Sequence, residues 1–154
     1  MEAKSWRQLE QDNPGLAAFG ASRIDGKVAY MATLQDSGWP RAQPVTPIIG
    51  HGRCFVFVDP DSRKAKDLKR SGKFSLHCGM SDSSGSSGEF QMTGTATLNE
   101  NSEVRLQAES VSNFRPAARS LLFELLIHEV QATSYRGGRP DRQRWHSGTT
   151  ETVV

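Results

Sequence analysis

The chain has 154 residues, 36% of them hydrophobic, and a formal net charge of +2 at pH 7, which predicts one domain over 1–154. The nearly balanced charge argues against general binding to nucleic acid or to a membrane surface. No apolar run approaches the roughly 20 residues that span a bilayer, and the opening segment MEAKSWRQLEQD lacks the apolar core of a secretion signal, so a cytoplasmic protein is expected.

The N-terminal segment, residues 1–24, is predicted to be helical. Apolar residues recur at helical spacing from Trp6 to Phe19, and the sequence Asn13-Pro14-Gly15 marks a break within that pattern. One or two helices that cover the core are therefore expected here.

Six segments have the alternation and composition of β-strands. Pro44 and Pro47 cannot donate ladder hydrogen bonds, which assigns the second of these segments to a sheet edge or a bulge. The sixth segment fits either period, but its length and its β-branched end favour one long strand. The six segments are VAYMATL, RAQPVTPII, RCFVFV, KFSLHC, EFQMTGTATL and LLFELLIHEVQATSY.

Between the strands lie two further predicted helices and one flexible loop. The segment DSRKAKDLKRSG reads as a helix that begins at a Ser62 cap and stops at Gly72. NENSEVRLQAESV reads as a second helix, and GMSDSSGSSG as a polar loop. The C-terminal residues, 136–154, read as a tail that is polar apart from Trp145.

Short turns between neighbouring strands and the lack of repeated βαβ units predict antiparallel pairing. Six twisted strands protect their edges most easily by closing into a small barrel. The expected fold is therefore mainly β (α+β), a six-stranded antiparallel β-barrel with flanking helices. No GxGxxG or GxxxxGK[ST] motif follows a strand, which argues against dinucleotide and P-loop sites.

The cysteines and histidines do not predict a metal site. Cys54 and Cys78 lie in apolar or alternating segments without CxxC spacing, and we expect small buried thiols, with a disulfide as the alternative. The four histidines show neither HxxxH nor HExxH spacing.

Two cations occupy an unusual position at the start of the predicted third helix. A helix N-terminus carries unpaired N–H groups and about half a positive charge, so it prefers anions to cations. Ser62, Arg63 and Lys64 could together bind a phosphate there. The alternative is that Arg63 and Lys64 belong to a solvated helix surface with Lys66, Lys69 and Arg70.

The segment from MATLQDSGWPRAQPV through SRKAKDL and KFSLHC to EFQMTGTATL resembles the pyridoxamine 5'-phosphate oxidase-like family of FMN-binding split barrels over about residues 28–98. SRKA is the most specific part of the match. The resemblance implies a split barrel that forms a homodimer, with FMN at the subunit interface. It also implies that Arg63 and Lys64 hold the FMN phosphate, and it places Trp145 near the cofactor of the second subunit.

The full set of cofactor-binding residues expected from the cap position and the resemblance is Gln43, Pro44, Val45, Thr46, Phe57, Val58, Ser62, Arg63, Lys64, Glu89, Gln91 and Trp145. Glu89 and Gln91 are alternatives, because a single sequence does not show which of them faces the flavin. The oxidase that names the family has arginine and lysine where this chain has Gln43 and Ile48, so its substrate is not expected to carry over.

The resemblance implies a flavin-dependent oxidoreductase acting on a small molecule. No residue of the chain demands the role of catalytic acid or base, so the catalytic residues are left unassigned. The alternatives are reduction with the deazaflavin F420, or a non-enzymatic flavin- or haem-binding protein.

Overall fold

The computed structural model describes residues 2–147 and the backbone of 149–153. It contains four helices and nine strands within those residues. In chain order they are α1 Trp6–Asp12, α2 Pro14–Ile24, β1 Ala29–Leu34, β2 Pro40–Val45, β3 Ile48–Gly50, β4 Arg53–Val58, α3 Arg63–Arg70, β5 Lys73–Cys78, β6 Glu89–Leu98, α4 Ser102–Val111, β7 Leu121–Arg136, β8 Arg139–His146 and β9 Thr149–Val153.

The strands form one antiparallel sheet in the order β2-β1-β5-β6-β7-β4-β3, and β8 and β9 extend it from β7. Its terminal strands, β2 and β3, are consecutive in the chain. Only Thr46 and Pro47 separate them, so Val45 and Ile48 lie at most about 10 Å apart. The sheet must therefore curl until its two ends meet without pairing, which is the geometry of a split barrel.

The long strand β7 is shared by both parts of the sheet. It pairs with β6 along ten residues of each strand, while its other edge pairs first with β4 and then with β8. A register shift lies between Thr93 and Gly94. A Cβ atom at Gly94 would lie 1.8 Å from the Leu126 carbonyl oxygen, so only glycine fits where the strands approach this closely.

The mainly β split-barrel class and the single long β7 strand are confirmed. The number of strands is nine instead of the predicted six. The predicted second strand divides at Thr46-Pro47, because Pro47 has no N–H for the ladder. The segment expected as a polar tail, 136–154, contains β8 and β9, whose polar composition concealed them from a search for apolar alternation.

The two N-terminal helices form as predicted and contribute to the core. Asn13 ends α1 and caps α2, where its side chain accepts a hydrogen bond of 3.1 Å from the Leu16 N–H, and Pro14 is the first residue of α2. Trp6 and Leu9 pack against the barrel with at most 1% exposure. No described helix has the length and apolar character required to cross a membrane.

Cys54 and Cys78 are both free and buried. Burial, together with the nearby charges of Asp25 and Glu124, raises the pKa of the Cys54 thiol far above its usual range. Because the thiolate is the reactive form, we expect neither cysteine to react with Ellman's reagent in the native protein and both to react after unfolding in guanidinium chloride. Rapid labelling of the native protein would contradict this assignment.

Candidate functional site

The N-terminus of α3 is built as predicted, with Ser62 at the cap. The Ser62 hydroxyl accepts a hydrogen bond of 3.1 Å from the Ala65 N–H and donates one of 2.7 Å to the Asp59 carbonyl. A hydroxyl has one proton, so Ser62 cannot also donate to a phosphate without giving up the bond to Asp59. Its role in this structure is to begin the helix.

Lys64 connects this helix to strand β2. Its Nζ donates a hydrogen bond of 3.1 Å to the Pro44 carbonyl, and the side chain is half-buried. Burial lowers the pKa of Lys64, because the ammonium loses water and gains only a neutral backbone oxygen. An anion placed beside this group would supply the missing charge compensation.

Arg63 extends from the same helical turn toward solvent. Within the described part of the chain it makes no hydrogen bond and no ion pair, so its guanidinium is available for a ligand. A guanidinium and an ammonium from adjacent residues can together supply bidentate and point-charge contacts to a phosphate monoester. The donor set at the start of α3 therefore fits the FMN phosphate.

A buried polar network holds α3 against the barrel. Asp67 has 2% exposure, and its Oδ2 accepts hydrogen bonds from the Thr33 hydroxyl at 2.7 Å and from the Arg41 Nε at 2.9 Å. Burial alone would raise the pKa of Asp67, but the hydrogen bonds from Arg41, Thr33 and Arg70 and the charge of Arg41 hold it below its usual range. Asp67 therefore remains ionised and fixes the orientation of the helix that carries Arg63 and Lys64.

Exposed apolar residues cover the outer face of β1 and β2. Tyr30 is 53% exposed and lies directly opposite Pro44, while Trp39 in the intervening turn is 73% exposed. We call this surface the apolar platform; its members are Tyr30, Trp39, Pro40, Ala42 and Pro44. Because Lys64 contacts the Pro44 carbonyl, the platform borders the cationic helix terminus.

Of the four predicted residues on and after β2, Pro44 is exposed and the other three are partly or fully buried. Gln43 points toward β1, where its amide donates to the Met31 carbonyl at 2.8 Å and to the Thr33 hydroxyl at 3.3 Å. Val45 is buried in the core. Thr46 is partly buried in the break that follows β2.

The two predicted residues at the end of β4 have their side chains in two different hydrophobic clusters. Val58 is buried in the main core. The Phe57 ring packs edge-on against Phe114 at 6.2 Å between centroids, with the Arg105 guanidinium 5.4 Å from the centroid of Phe57. Phe57 and Phe114 line a separate cavity of about 250 Å³.

Glu89 and Gln91 both project from the outer face of β6, and which of them faces a cofactor stays a prediction. The Oε2 atom of Glu89 lies 3.1 Å from the Nε2 atom of His77, and the Gln91 amide lies 3.5 Å from the Ser75 hydroxyl. Strand β6 is three strand positions from β2, or about 14 Å. Among the described residues, neither side chain forms a hydrogen bond or an ion pair with Lys64.

Trp145 lies in the core with 0% exposure. Its indole Nε1 donates a hydrogen bond of 3.0 Å to the Asp12 carboxylate, which joins β8 to the end of α1. Within one chain Trp145 is thus an aromatic residue packed on the barrel, and its contact with a cofactor of the second subunit stays a prediction.

Sequence reasoning did not identify Arg41 and Asp67, which form the centre of the polar network. Asp67 is the only acidic residue of α3 and is buried with Ala65 and Leu68. The many cations of this helix make a charged residue at position 67 look like part of the solvated surface. Arg41 lies on β2 at a spacing of two from Gln43, which places both on the side of the strand that faces the network. This alternation was the one available signal.

Solved structures of known proteins share this fold. No protein-family model matches the sequence, and no curated protein matches it. A pyridoxamine 5'-phosphate oxidase-related, FMN-binding protein from Nostoc punctiforme is 16% identical with a TM-score of 0.67, covering 91% of this chain and 95% of that one. PhzG from Burkholderia lata is 16% identical with a TM-score of 0.62 and coverage of 90% and 86%.

A haem-binding protein from Mycobacterium smegmatis is also similar, with 18% identity and a TM-score of 0.64. This chain is covered to 83%, but it spans only 57% of that protein. The likeness to all three confirms the split barrel expected from the resemblance. Proteins of this fold therefore include both FMN binders and haem binders.

Proposed function

We propose that this split-barrel protein, whose fold is that of pyridoxamine 5'-phosphate oxidase-related proteins, binds FMN and transfers electrons or hydride to a small molecule. The observation that carries the proposal is the hydrogen bond of 3.1 Å from Lys64 to the Pro44 carbonyl. It joins the residues predicted to hold the phosphate to the strand predicted to face the flavin ring.

The residues present fit the cofactor at both of its ends. Arg63 and Lys64 would hold the phosphate, and the apolar platform offers exposed apolar and aromatic side chains beside them. Among the described strands β2 pairs with β1 alone, so its other edge leaves backbone groups available for polar contacts with a ring. Bound FMN would supply the redox chemistry, while the chain binds it, orients it and excludes water.

The proposal includes a homodimer with the cofactor between the subunits. The chain leaves the side chains of the apolar platform exposed to solvent. Exposed apolar patches of this kind commonly mark interfaces between proteins. Glu89 and Gln91 lie on β6, three strands from β2 in the sheet, and in this proposal they reach a cofactor at β2 from the partner subunit. Sedimentation equilibrium should give twice the chain mass, and a monomeric mass for the cofactor-loaded protein would contradict the dimer.

The absorbance spectrum and mass of the copurifying molecule test the cofactor. FMN gives bands in the blue and near-ultraviolet, whereas a Soret band would indicate haem, and uptake of F420 by a colourless protein would indicate the deazaflavin. Reduction of the loaded protein by NAD(P)H and reoxidation by a panel of acceptors would then separate an enzyme from a carrier. Absence of turnover with every donor and acceptor would count against an enzyme.

Haem binding would require rearrangement at His77. Its Nδ1 atom lies 2.7 Å from the Cys78 carbonyl oxygen and its Nε2 atom 3.1 Å from a Glu89 carboxylate oxygen; both neighbours are acceptors, so a neutral imidazole donates to only one of them. An iron ligand needs one nitrogen without a hydrogen-bond partner. Iron at His77 would therefore have to displace the acceptor beside the nitrogen that binds it.

The affinity for FMN is expected to fall at alkaline pH. The charged form of Lys64 binds the phosphate, and burial lowers the pKa of Lys64. Affinity should therefore be constant below this lowered pKa and decrease as pH rises through it, earlier than for an exposed lysine. Fluorescence titration with FMN from pH 7 to 10 measures the effect.

The matched control is Lys64→Arg, which remains charged throughout this range. Its FMN affinity should lack the alkaline decrease. An equal decrease in both proteins would show that another group is responsible.

A further inference from the structure

A groove lies between α3 and the hairpin that joins β1 to β2. It has a volume of about 520 Å³ and begins at Arg63, one of the two predicted phosphate ligands. Its lining consists of Gln35, Asp36, Ser37, Arg41, Arg63, Lys66, Asp67 and Arg70. The groove therefore continues from the proposed phosphate position along the axis of the helix.

Three cations of α3 follow one wall of this groove. Arg63, Lys66 and Arg70 are spaced at i, i+3 and i+7, so they project from one face and extend over about 10 Å. Like charges at such spacings repel one another. A single phosphate is too small to neutralise a row of this length.

The groove contains fewer carboxylates than cations, so part of its positive charge has no partner within the described residues. Asp67 is already paired with Arg41 and Arg70, and Asp36 lies 3.8 Å from Arg70 with 94% of its side chain exposed. Neither Arg63 nor Lys66 pairs with any residue in the described part of the chain. The four cations thus exceed the two carboxylates by two charges, and both surplus charges lie on the side of α3 that faces the groove.

Two of the arginine side chains that line the groove are fixed by hydrogen bonds within the protein. The Arg41 side chain is fixed by Asp67, and the Arg70 guanidinium donates to the Leu34 carbonyl as well as to Asp67. These two guanidinium groups are consequently ordered before any ligand arrives. Preorganised cations lose little conformational entropy on binding.

We propose that this groove binds a ligand with two or more phosphate or carboxylate groups in series. The ligand has two possible sources. It is either the anionic tail of F420 beyond its phosphate, which would replace FMN in the proposed function, or a separate polyanion. Both present the same chemistry to Arg63 and Lys66.

The test compares Lys66→Gln with Lys69→Gln by isothermal titration calorimetry at fixed low ionic strength. Lys66 lines the groove, whereas Lys69 is an exposed lysine of the same helix that does not. The probes are tripolyphosphate, FMN and F420 with its glutamate tail. We expect Lys66→Gln to weaken tripolyphosphate binding about fivefold or more and Lys69→Gln to change it less than about twofold.

The flavin probes separate the two sources. If the groove holds a cofactor extension, Lys66→Gln weakens F420 binding about fivefold or more and leaves FMN binding unchanged. If the ligand is separate, Lys66→Gln leaves F420 binding unchanged and weakens tripolyphosphate binding to the flavin-free protein about fivefold or more.

Equal effects of the two substitutions on every probe, or failure of tripolyphosphate to bind the wild-type protein, would overturn the proposal. Tripolyphosphate binding that depends on Lys66 in a protein that takes up neither flavin would refute the proposed cofactor and retain the groove. Because the Lys66 side chain makes no contact by hydrogen bond or ion pair with the described chain, its variant should unfold at the wild-type urea concentration.

Discussion

Replacing Arg63 and Lys64 together with alanine is expected to weaken FMN binding about a hundredfold or more, because two charge-assisted contacts of about 1.5–3 kcal/mol each are removed. Arg63 is exposed, and within residues 2–147 the one hydrogen bond of the Lys64 side chain goes to the Pro44 carbonyl, so the barrel should still fold. Fluorescence quenching of FMN gives the dissociation constant, and circular dichroism with urea unfolding shows whether the fold is retained.

Lys69→Ala is the matched control for this loss. It removes one positive charge from the same helix at an exposed position that does not line the groove. Its FMN affinity should remain within about twofold of wild type. If the double variant copurifies with undiminished flavin, or if Lys69→Ala loses as much affinity, the assignment of the phosphate to Arg63 and Lys64 is wrong.

Replacing Asp67 with alanine is expected to lower the free energy of unfolding by about 3 kcal/mol, since removing one member of a buried ion pair leaves its partner uncompensated. The side chain of Asp67 is 3% exposed and that of Arg41 is 22% exposed. The variant also leaves the Thr33 hydroxyl without its acceptor. Urea unfolding of wild type and variant under identical conditions measures the difference.

The pH dependence of stability provides a second test of Asp67. Because its folded pKa lies below the usual value, its contribution is complete above the unfolded pKa of about 3.9 and is lost as pH falls through the folded value. Asp67→Asn keeps the shape of the side chain and removes the titration. Its unfolding free energy should therefore decrease less than that of wild type between pH 5 and pH 2.

An unchanged stability in Asp67→Ala would mean that the network does not hold α3 in place. The same variant should also bind FMN less tightly if Asp67 orients Arg63 and Lys64. This second effect distinguishes orientation of the site from stability alone, provided that binding is measured where the variant is fully folded.

Most elements of the fold follow from local sequence. The Ser62 cap, the glycine stop after α3 and the break at Asn13-Pro14 each depend on a few adjacent residues, and the structure has all three. Strand β8 could not be found in this way. Its inward residues, Gln143 and Trp145, alternate with arginines, so its strand character comes from pairing with β7 and not from an apolar pattern.

The candidate site likewise has one part that local sequence predicts and one part that depends on long-range contacts. The sequence by itself predicts an anion site at Arg63 and Lys64, because the preference of a helix N-terminus for anions is a local property. Only the tertiary structure decided what this pair lies beside. Lys64 and Pro44 are 20 residues apart and Asp67 and Thr33 are 34 apart. Contacts at such separations depend on strand register and on the packing of α3 against the barrel, which no local pattern specifies.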